Sequence, residues 1–383
     1  MAAARLGSAQ RRAPAPSTMA GASDPPILAP SSTRPATRSS VAAAAALSST
    51  SGLSAPARWI QQNLSSADVT REQRLGGSAW ASFGEVELRD GRRFFVKTAG
   101  RDAAAAEMFR GEMLGLNALR DASDASGAGL AVPRVYYGGG GEQPGESAFI
   151  VMDYLDLGGG GGGGGISKRS LQSLLGEALA RMHNAPVPPP ADTPSSSRFG
   201  FPVDNTIGGT PQRNTWSEDW VEFYRERRLR FQLKLAGDAA LTQAATPLLD
   251  NLHLMFNDYA PGGALEGELR PSVLHGDLWS GNYGPSRGDG GELRPAIFDP
   301  AVYFGHSEAE FGMSWCAGFS QEFYDVYFSV RPKAPGFEKR RDLYTLYHYL
   351  NHLNLFGGGY RSECARCLDR LSATIKGGGV PAR

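Results

Sequence analysis

Hydrophobic and polar positions alternate at short range in the first part of the chain. Two β-compatible runs, 85–88 and 93–97, flank an Asp-Gly pair, which is a strong hairpin signal. Apolar residues then recur at helical spacing over 103–120, and 148–155 has the composition of a buried strand. The pattern predicts a small lobe in which a few strands pack against one long helix.

The second part of the chain has mainly helical spacing. Apolar stripes run over 171–182 and from about 216 to 235, and the aromatic-rich stretch 311–355 is also mostly helical. Two short strand-like pieces, 273–275 and 296–298, are each followed by an aspartate in a loop. We therefore predict an α+β fold with a small β-rich N-lobe and a larger helical C-lobe, an arrangement typical of kinase-type phosphotransferases.

Composition suggests where these lobes begin and end. The first 58 residues are rich in Ala, Ser and Pro and carry six arginines but only one acidic residue. This composition is typical of an organelle transit peptide. A disordered tail that has no targeting function is the alternative. We divide the chain into a disordered leader (1–58), a nucleotide-binding N-lobe (59–156), a glycine-rich insertion (157–166) and a C-lobe for catalysis and acceptor binding (167–383).

Charge and cysteine content narrow the classes of partner. Lys plus Arg and Asp plus Glu number 39 each, so the chain has no global positive field for nucleic acid or a membrane surface. We expect neither as a partner. The three cysteines exclude a disulfide scaffold. Cys364 and Cys367 have zinc-like spacing, but without a second pair of ligands we interpret them as unrelated thiols on one helix.

The motif His-Gly-Asp-Leu-Trp-Ser-Gly-Asn, residues 275–282, carries the clearest chemistry. Phosphoryl transfer needs a carboxylate to accept the hydroxyl proton of the acceptor, and oxygen ligands for Mg²⁺. Asp277 is the candidate base, and Asn282 and Asp299 are the candidate magnesium ligands. The alternative is that Asp277 only bonds its own loop backbone. For His275 we favour hydrogen bonds that brace the loop, with direct contact to substrate as the alternative.

Lys97 and Glu112 are candidates for a buried ion pair. Lys97 ends the run 94–97, and Glu112 falls inside the apolar stripe of the predicted helix. A lone buried carboxylate is costly, so pairing the two would leave the ammonium free to reach ATP phosphates. The alternative is a surface lysine and a helix-edge glutamate.

Two further stretches are candidates for nucleotide contact. Gly77 and Ser78 lie in a glycine-containing segment that could cover the phosphates, although it does not match Gly-x-Gly-x-x-Gly. Met152, Asp153 and Tyr154 precede the joint between the lobes, where their backbone could bond adenine. An ordinary core strand is the alternative for these three residues.

Several of these stretches together resemble the fructosamine-3-kinase and ketosamine-3-kinase family, relatives of aminoglycoside phosphotransferases with a protein-kinase-like fold. The resemblance covers residues 94–361 approximately, and the sequence of this part is similar to that of the plant and algal branch of the family. It rests on the segments Phe199-Gly-Phe, Pro211-Gln-Arg-Asn-Thr-Trp, Leu274-His-Gly-Asp-Leu-Trp-Ser-Gly-Asn, Asp299-Pro, Gly305-His-Ser-Glu-Ala-Glu, Pro332-Lys-Ala-Pro-Gly and Tyr349-Leu-Asn-His.

The resemblance implies an ATP- and Mg²⁺-dependent kinase that phosphorylates the 3-hydroxyl of ribulosamine, erythrulosamine or fructosamine adducts on protein lysines. The phosphorylated adduct is unstable, so the implied role is protein deglycation, with glycated proteins or small ketosamines as partners. It also implies a chloroplast location, with the mitochondrion as the alternative. We expect a monomer or weak dimer. The competing hypotheses are a phosphotransferase for another polyol or aminoglycoside-like acceptor, and a non-catalytic ATP-binding or redox-responsive protein.

The resemblance assigns acceptor roles as well. It implies that Trp279 stacks on the sugar, with core packing as the alternative, and that His306, Glu308 and His352 line the acceptor pocket. One departure stands out. Plant-type members commonly have Gly-Gly-Cys in the nucleotide loop, whereas this chain has Ser78 there and no cysteine before Cys316.

Overall fold

The start of the folded chain lies earlier than the sequence predicts. The computed structural model describes residues 52–157, 166–188, 198–288 and 290–377, so most of the predicted leader and glycine insertion lies outside the described residues. Helix α1 (Ala55–Asn63) begins inside the segment assigned to the leader. Ser54 caps the helix by accepting the N–H of Ala57, and Leu53 is buried against the sheet. The predicted boundary at 58 is therefore wrong, because the Ala, Ser and Pro of this first turn match the composition of the leader.

The N-lobe is an antiparallel five-stranded sheet in the order β1-β2-β3-β5-β4. Its strands are β1 Val69–Gly77, β2 Ser82–Leu88, β3 Arg93–Thr98, β4 Val135–Gly139 and β5 Phe149–Asp153. Strands β2 and β3 form the predicted hairpin. The sequence pattern does not reveal β1, because this edge strand is mostly exposed and polar on both faces.

Helix α2 (Ala103–Ser126) lies between the sheet and the C-lobe. Two glycines one turn apart let it approach the C-lobe closely. A Cβ added at Gly111 would lie 2.7 Å from Cβ of Asn205, and one at Gly115 would lie 3.0 Å from Cγ2 of Val302. The helix that carries Glu112 is thus fitted against both lobes.

The C-lobe is mainly helical, as the sequence predicts. Its α-helices are α3 Lys168–Asn184, α4 Trp220–Phe223, α5 Phe231–Ala236, α6 Ala239–Asp250, α7 Ser314–Ala317, α8 Gln321–Val330, α9 Phe337–Phe356 and α10 Arg361–Lys376. A π-helical segment, Tyr224–Arg230, joins α4 to α5. The predicted helix from 216 begins only at Trp220, because the side chain of Asp219 caps the first turn. Cys364 and Cys367 lie on α10, and both are buried and free.

Three small two-stranded ribbons position the loops of the site. Strand β8 (Ser272–Leu274) pairs with β11 (Tyr303–Gly305), and β9 (Tyr283–Arg287) pairs with β10 (Leu293–Ile297). The loops 275–282 and 298–302 therefore leave neighbouring strand ends. The third ribbon, β6 (Asn205–Ile207) with β7 (Thr210–Gln212), lies beside α2. In the described part of the chain, no helix is long and apolar enough to cross a membrane.

Candidate active site

The cleft between the lobes has an apolar half and a polar half. The apolar half is lined mainly by Phe83, Phe95, Pro133, Met152, Tyr154, Leu155, Leu157, Trp279 and Phe298. The polar half is lined by Ser78, Trp80, Lys97, Glu112, Asn205, Thr206, Asp277 and Asp299, among others. An aromatic and aliphatic slot suits a planar base, and the adjoining charged chamber suits phosphates and a polar acceptor.

Asp277 borders the polar half and Asn282 the apolar half, and their side chains meet where the two halves join. The Asn282 amide donates to the backbone carbonyl of Asp277 at 2.9 Å and to that of Asp299 at 3.1 Å, and it lies 3.4 Å from Oδ2 of Asp277. Removal from solvent raises the pKa of Asp277 to about 8, and the charges of Asp299 and Glu310 also raise it. A carboxyl group with a pKa near neutrality is suited to proton transfer.

Asp299 occupies a left-handed backbone conformation with φ of 59°, which is the single positive φ among the described non-glycine residues. Such conformations cost free energy and are concentrated at functional sites. Asp299 Oδ1 also accepts from Lys97 Nζ at 2.6 Å. The carboxylate therefore pairs with the lysine, and its charge also acts on Asp277 of the catalytic loop.

Lys97 and Glu112 form the ion pair that the sequence predicts. Lys97 Nζ lies 2.6 Å from Glu112 Oε1, and the lysine side chain is 7% exposed. Burial lowers the pKa of Lys97, but the charges of Asp299 and Glu112 outweigh this and hold the ammonium protonated. The surface alternative for this pair is thus wrong.

His275 braces the catalytic loop rather than facing the cleft. It is fully buried, its Nε2 lies 3.0 Å from the carbonyl oxygen of Phe298, and Nδ1 accepts the backbone N–H of Asp277. Burial lowers its pKa, so the ring is neutral. These contacts agree with the bracing role that the sequence favours for His275, and they leave the alternative, direct contact with substrate, without support.

Glu310 is a functional residue that the sequence analysis missed. Its buried carboxylate accepts the backbone N–H groups of His275 at 2.7 Å and Gly276 at 3.0 Å, and it lies 3.3 Å from Nε2 of His183. It fixes the turn that precedes Asp277. Gly276 has φ of 79°, and a Cβ there would lie 2.2 Å from the carbonyl oxygen of Ala301, so glycine is required. In the sequence, Glu310 is visible only as the last residue of the motif Gly305-His-Ser-Glu-Ala-Glu. Its hydrogen bonds to the catalytic loop become apparent only in the fold.

Gly77 is the last residue of β1, and Ser78 begins the turn that follows on the N-lobe side of the cleft. Ser78 donates its N–H to Ala81 O at 2.7 Å, and its Oγ accepts the N–H groups of Trp80 and Ala81. A Cβ at Gly77 would lie 2.8 Å from the Ala81 oxygen, so the tight turn excludes a side chain there. Ser78 lies beside the polar half, and phosphate contact by this turn stays a prediction.

Met152, Asp153 and Tyr154 border the apolar half. The backbone N–H of Asp153 donates to the carbonyl of Arg134, and its carboxylate accepts the hydroxyl of Tyr136. An adenine would therefore have to use other backbone groups of this stretch.

The tryptophan of the catalytic loop also lies in the cleft. Trp279 borders the apolar half beside Asn282, and the sugar contact implied for it stays a prediction. Trp80, which the sequence analysis did not single out, is the tryptophan of the polar half.

His306, Glu308 and His352 do not border the cleft, so the acceptor roles assigned to them are not supported. Glu308 forms a buried bidentate pair with Arg340, and His306 lies between the hydroxyls of Tyr259 and Tyr344. His352 Nδ1 lies 2.7 Å from the carbonyl of His348, one helical turn away on α9. Family resemblance alone could not separate such core residues from pocket residues.

This fold and this cluster define an ATP-dependent phosphotransferase of the two-lobed kinase type. The fructosamine kinase family model matches residues 53–374. The chain therefore belongs to the fructosamine kinase family.

Relatives from plants, animals and bacteria agree with that assignment. The chain is 44% identical over 323 residues to the chloroplastic protein-ribulosamine 3-kinase of Oryza sativa subsp. japonica, which covers 83% of this chain and 84% of that protein. It is 34% identical over 325 residues to the ketosamine-3-kinase of Mus musculus, covering 82% and 98%. The crystal structure of a putative fructosamine-3-kinase from Thermobifida fusca superposes with a TM-score of 0.64 at 28% identity, covering 82% and 97%.

Proposed function

We propose that this kinase phosphorylates the sugar 3-hydroxyl of ribulosamine and related ketosamine adducts on protein lysines. The observation that carries the proposal is the cluster of Asp277, Asn282 and Asp299 where the two halves of the cleft join, beside the Lys97 and Glu112 pair. The name of the 44% identical rice relative, a protein-ribulosamine 3-kinase, supports the substrate class.

Each residue of the cluster has a defined task in this reaction. Asp277 accepts the proton of the sugar 3-hydroxyl. The oxygen of that hydroxyl forms a bond to the γ-phosphorus of ATP, and the bond between the γ-phosphorus and the bridging oxygen breaks, so that ADP leaves. Lys97 holds phosphate oxygens, and Glu112 holds Lys97 in place. Glu310 and His275 keep the loop backbone in the geometry that points Asp277 at the acceptor. The phosphorylated adduct then falls off the lysine, which completes deglycation.

Mg²⁺ fits the donor set at the end of the cleft. Asn282 and Asp299 would hold it through an amide oxygen and a carboxylate, the hard ligands that this ion prefers. The ion supplies positive charge to the phosphate oxygens during transfer. The unusual backbone of Asp299 is consistent with a carboxylate held in place for a ligand.

We further propose that the protein acts in the chloroplast. The rice relative is named chloroplastic, and the leader of this chain has the composition of a transit peptide. Import of a fusion of residues 1–52, which precede the buried Leu53, to a fluorescent protein into isolated chloroplasts would test this. Import into mitochondria instead would contradict it.

The direct test of the activity is phosphorylation of ribulose-lysine by the purified chain with ATP and Mg²⁺. We expect turnover in the parent and a loss of about 10²-fold or more in kcat for Asp277→Asn. Asp369→Asn, a substitution on the exposed face of α10, is the matched control and should behave as the parent.

The acceptor panel separates the competing functions. Free sugars and aminocyclitols should be poor acceptors. Turnover on those alone would assign another phosphotransferase activity. ATP binding without turnover on any acceptor would assign a binding role and contradict the proposal.

A further inference from the structure

The turn between β1 and β2 places Trp80 across the cleft against the C-lobe. A Cβ added at Gly208 would lie 3.1 Å from Cζ2 of Trp80, and one at Gly209 would lie 3.2 Å from Cε3. The indole therefore lies over both glycines of the β6–β7 turn. Leu355 borders the same contact, 3.1 Å from the added Cβ at Gly208.

The surface under the indole is itself fixed to the catalytic segment. The Asn205 amide donates to the carbonyl of Val302 at 2.8 Å, and the Gln212 amide donates to that of Ala301 at 3.1 Å. Gly208 has φ of 57°, a conformation that favours glycine. These bonds fix the position of the β6–β7 turn relative to Asp299. Trp80 therefore contacts a surface that has a fixed position relative to the reacting groups.

Trp80 and Asp277 border the same chamber, the polar half of the cleft. The indole extends from the β1–β2 turn to the glycines of the β6–β7 turn, so it forms one wall of the space in which an acceptor would meet Asp277. An acceptor bound in this chamber would therefore contact the indole.

We propose that Trp80 is a positioning residue for the acceptor: its indole closes over the sugar against Gly208 and Gly209 and keeps water away from the γ-phosphate. The substrate named here rests on the proposed function. An aromatic face suits the C–H side of a carbohydrate, and exclusion of water prevents ATP hydrolysis in place of transfer. The turn between β1 and β2 then contributes to the nucleotide side and to the acceptor side of the cleft.

The test compares Trp80→Ala, Trp80→Phe and Ala79→Ser with the parent. Ala79 is exposed on the same turn and serves as the control. For Trp80→Ala we expect the KM for ribulose-lysine to rise about tenfold, while the dissociation constant of ATP measured by calorimetry stays within twofold. ATP hydrolysis without acceptor should rise severalfold. Trp80→Phe should restore both values toward the parent, and Ala79→Ser should match it.

Two results would overturn the inference. One is an unchanged KM and unchanged ATP hydrolysis in Trp80→Ala. The other is weakening of ATP binding as large as the change in acceptor KM, which would restrict the indole to supporting the nucleotide. If the parent phosphorylates no ketosamine, the proposed function fails, but the hydrolysis assay still decides whether Trp80 excludes water. Thermal unfolding of each variant checks that the fold is intact.

Discussion

Replacing Glu310 by glutamine should slow catalysis without any change to a group that touches substrate. The carboxylate accepts two backbone N–H groups, those of His275 and Gly276, with one oxygen each. Glutamine keeps one acceptor and turns an NH₂ group toward the other N–H. One buried donor is then unpaired, at about 1–3 kcal/mol, and the remaining bond loses its charge, at about 1 kcal/mol.

We therefore expect Glu310→Gln to lower the free energy of unfolding by about 2–4 kcal/mol. The loop that carries Asp277 should also shift, and a displacement of about 1 Å at a reacting group can cost about 10²-fold in rate. Urea unfolding followed by fluorescence gives the first quantity. The kcat for ketosamine phosphorylation, measured where the variant is fully folded, gives the second.

Glu308→Gln is the matched control, because Glu308 lies on the same 3₁₀ segment (Ser307–Met313) but pairs with Arg340 away from the cleft. Breaking this buried pair should cost about 3–5 kcal/mol of stability and leave kcat of the folded enzyme close to that of the parent. Parental kcat in Glu310→Gln, or an equal fall in both variants, would refute the positioning role.

Three further perturbations follow from the same geometry. Gly276→Ala should abolish turnover or folding, as assayed by kcat and circular dichroism, because the added methyl meets the Ala301 carbonyl at 2.2 Å; a fully active variant would contradict the required turn. Lys97→Met should lower kcat/KM for ATP by about 10²-fold or more, because Glu112 and Asp299 lose their shared cation; unchanged ATP kinetics would contradict this role. Stability should fall as the pH drops below about 6.5, because burial lowers the pKa of several histidines, so the unfolded chain takes up protons that the native chain does not. At pH 5.5 each histidine that stays neutral in the native state contributes about 1.4 kcal/mol of this loss. Urea unfolding at pH 7.5 and at pH 5.5 measures the difference, and an equal free energy of unfolding at the two pH values would contradict the prediction. The histidines concerned are His183, His275, His306, His348, whose pKa falls to about 3, and His352. The raised pKa of Asp277 acts in the opposite sense, because the native chain then holds a proton that the unfolded chain does not, and it offsets part of this loss.

Local chemistry explains which parts of the site could be predicted. The pairing of Lys97 with Glu112 follows from one residue ending a strand and the other interrupting an apolar stripe, because a buried charge needs a partner. The loop from Asp277 to Asn282 follows from spacing. The second ion pair of Lys97, with Asp299, joins positions 202 residues apart, and no local sequence pattern contains it.

The misses have physical causes too. Strand β1 is exposed on both faces and so shows no alternation. Glu310 bonds backbone groups, which leave no trace in side-chain chemistry. The contact of Trp80 with Gly208 and Gly209 joins residues that are far apart in the chain, so no local sequence pattern reveals it. Glu308 and His352 were assigned to the pocket because polar residues in a shared motif look alike whether they face substrate or the core.

The close fit of helix α2 against the C-lobe also bears on how this enzyme could be inhibited. In protein kinases, regulation moves the helix that carries the glutamate partner of the lysine. Here Gly111 and Gly115 leave no clearance between that helix and the other lobe. An outward swing of this helix would have to separate the contacts of Gly111 with Asn205 and of Gly115 with Val302, so a compound that wedges behind the helix would have to break both. The apolar half of the cleft and the indole of Trp80 are better targets for selective ligands, because both line the cleft without any movement of this helix.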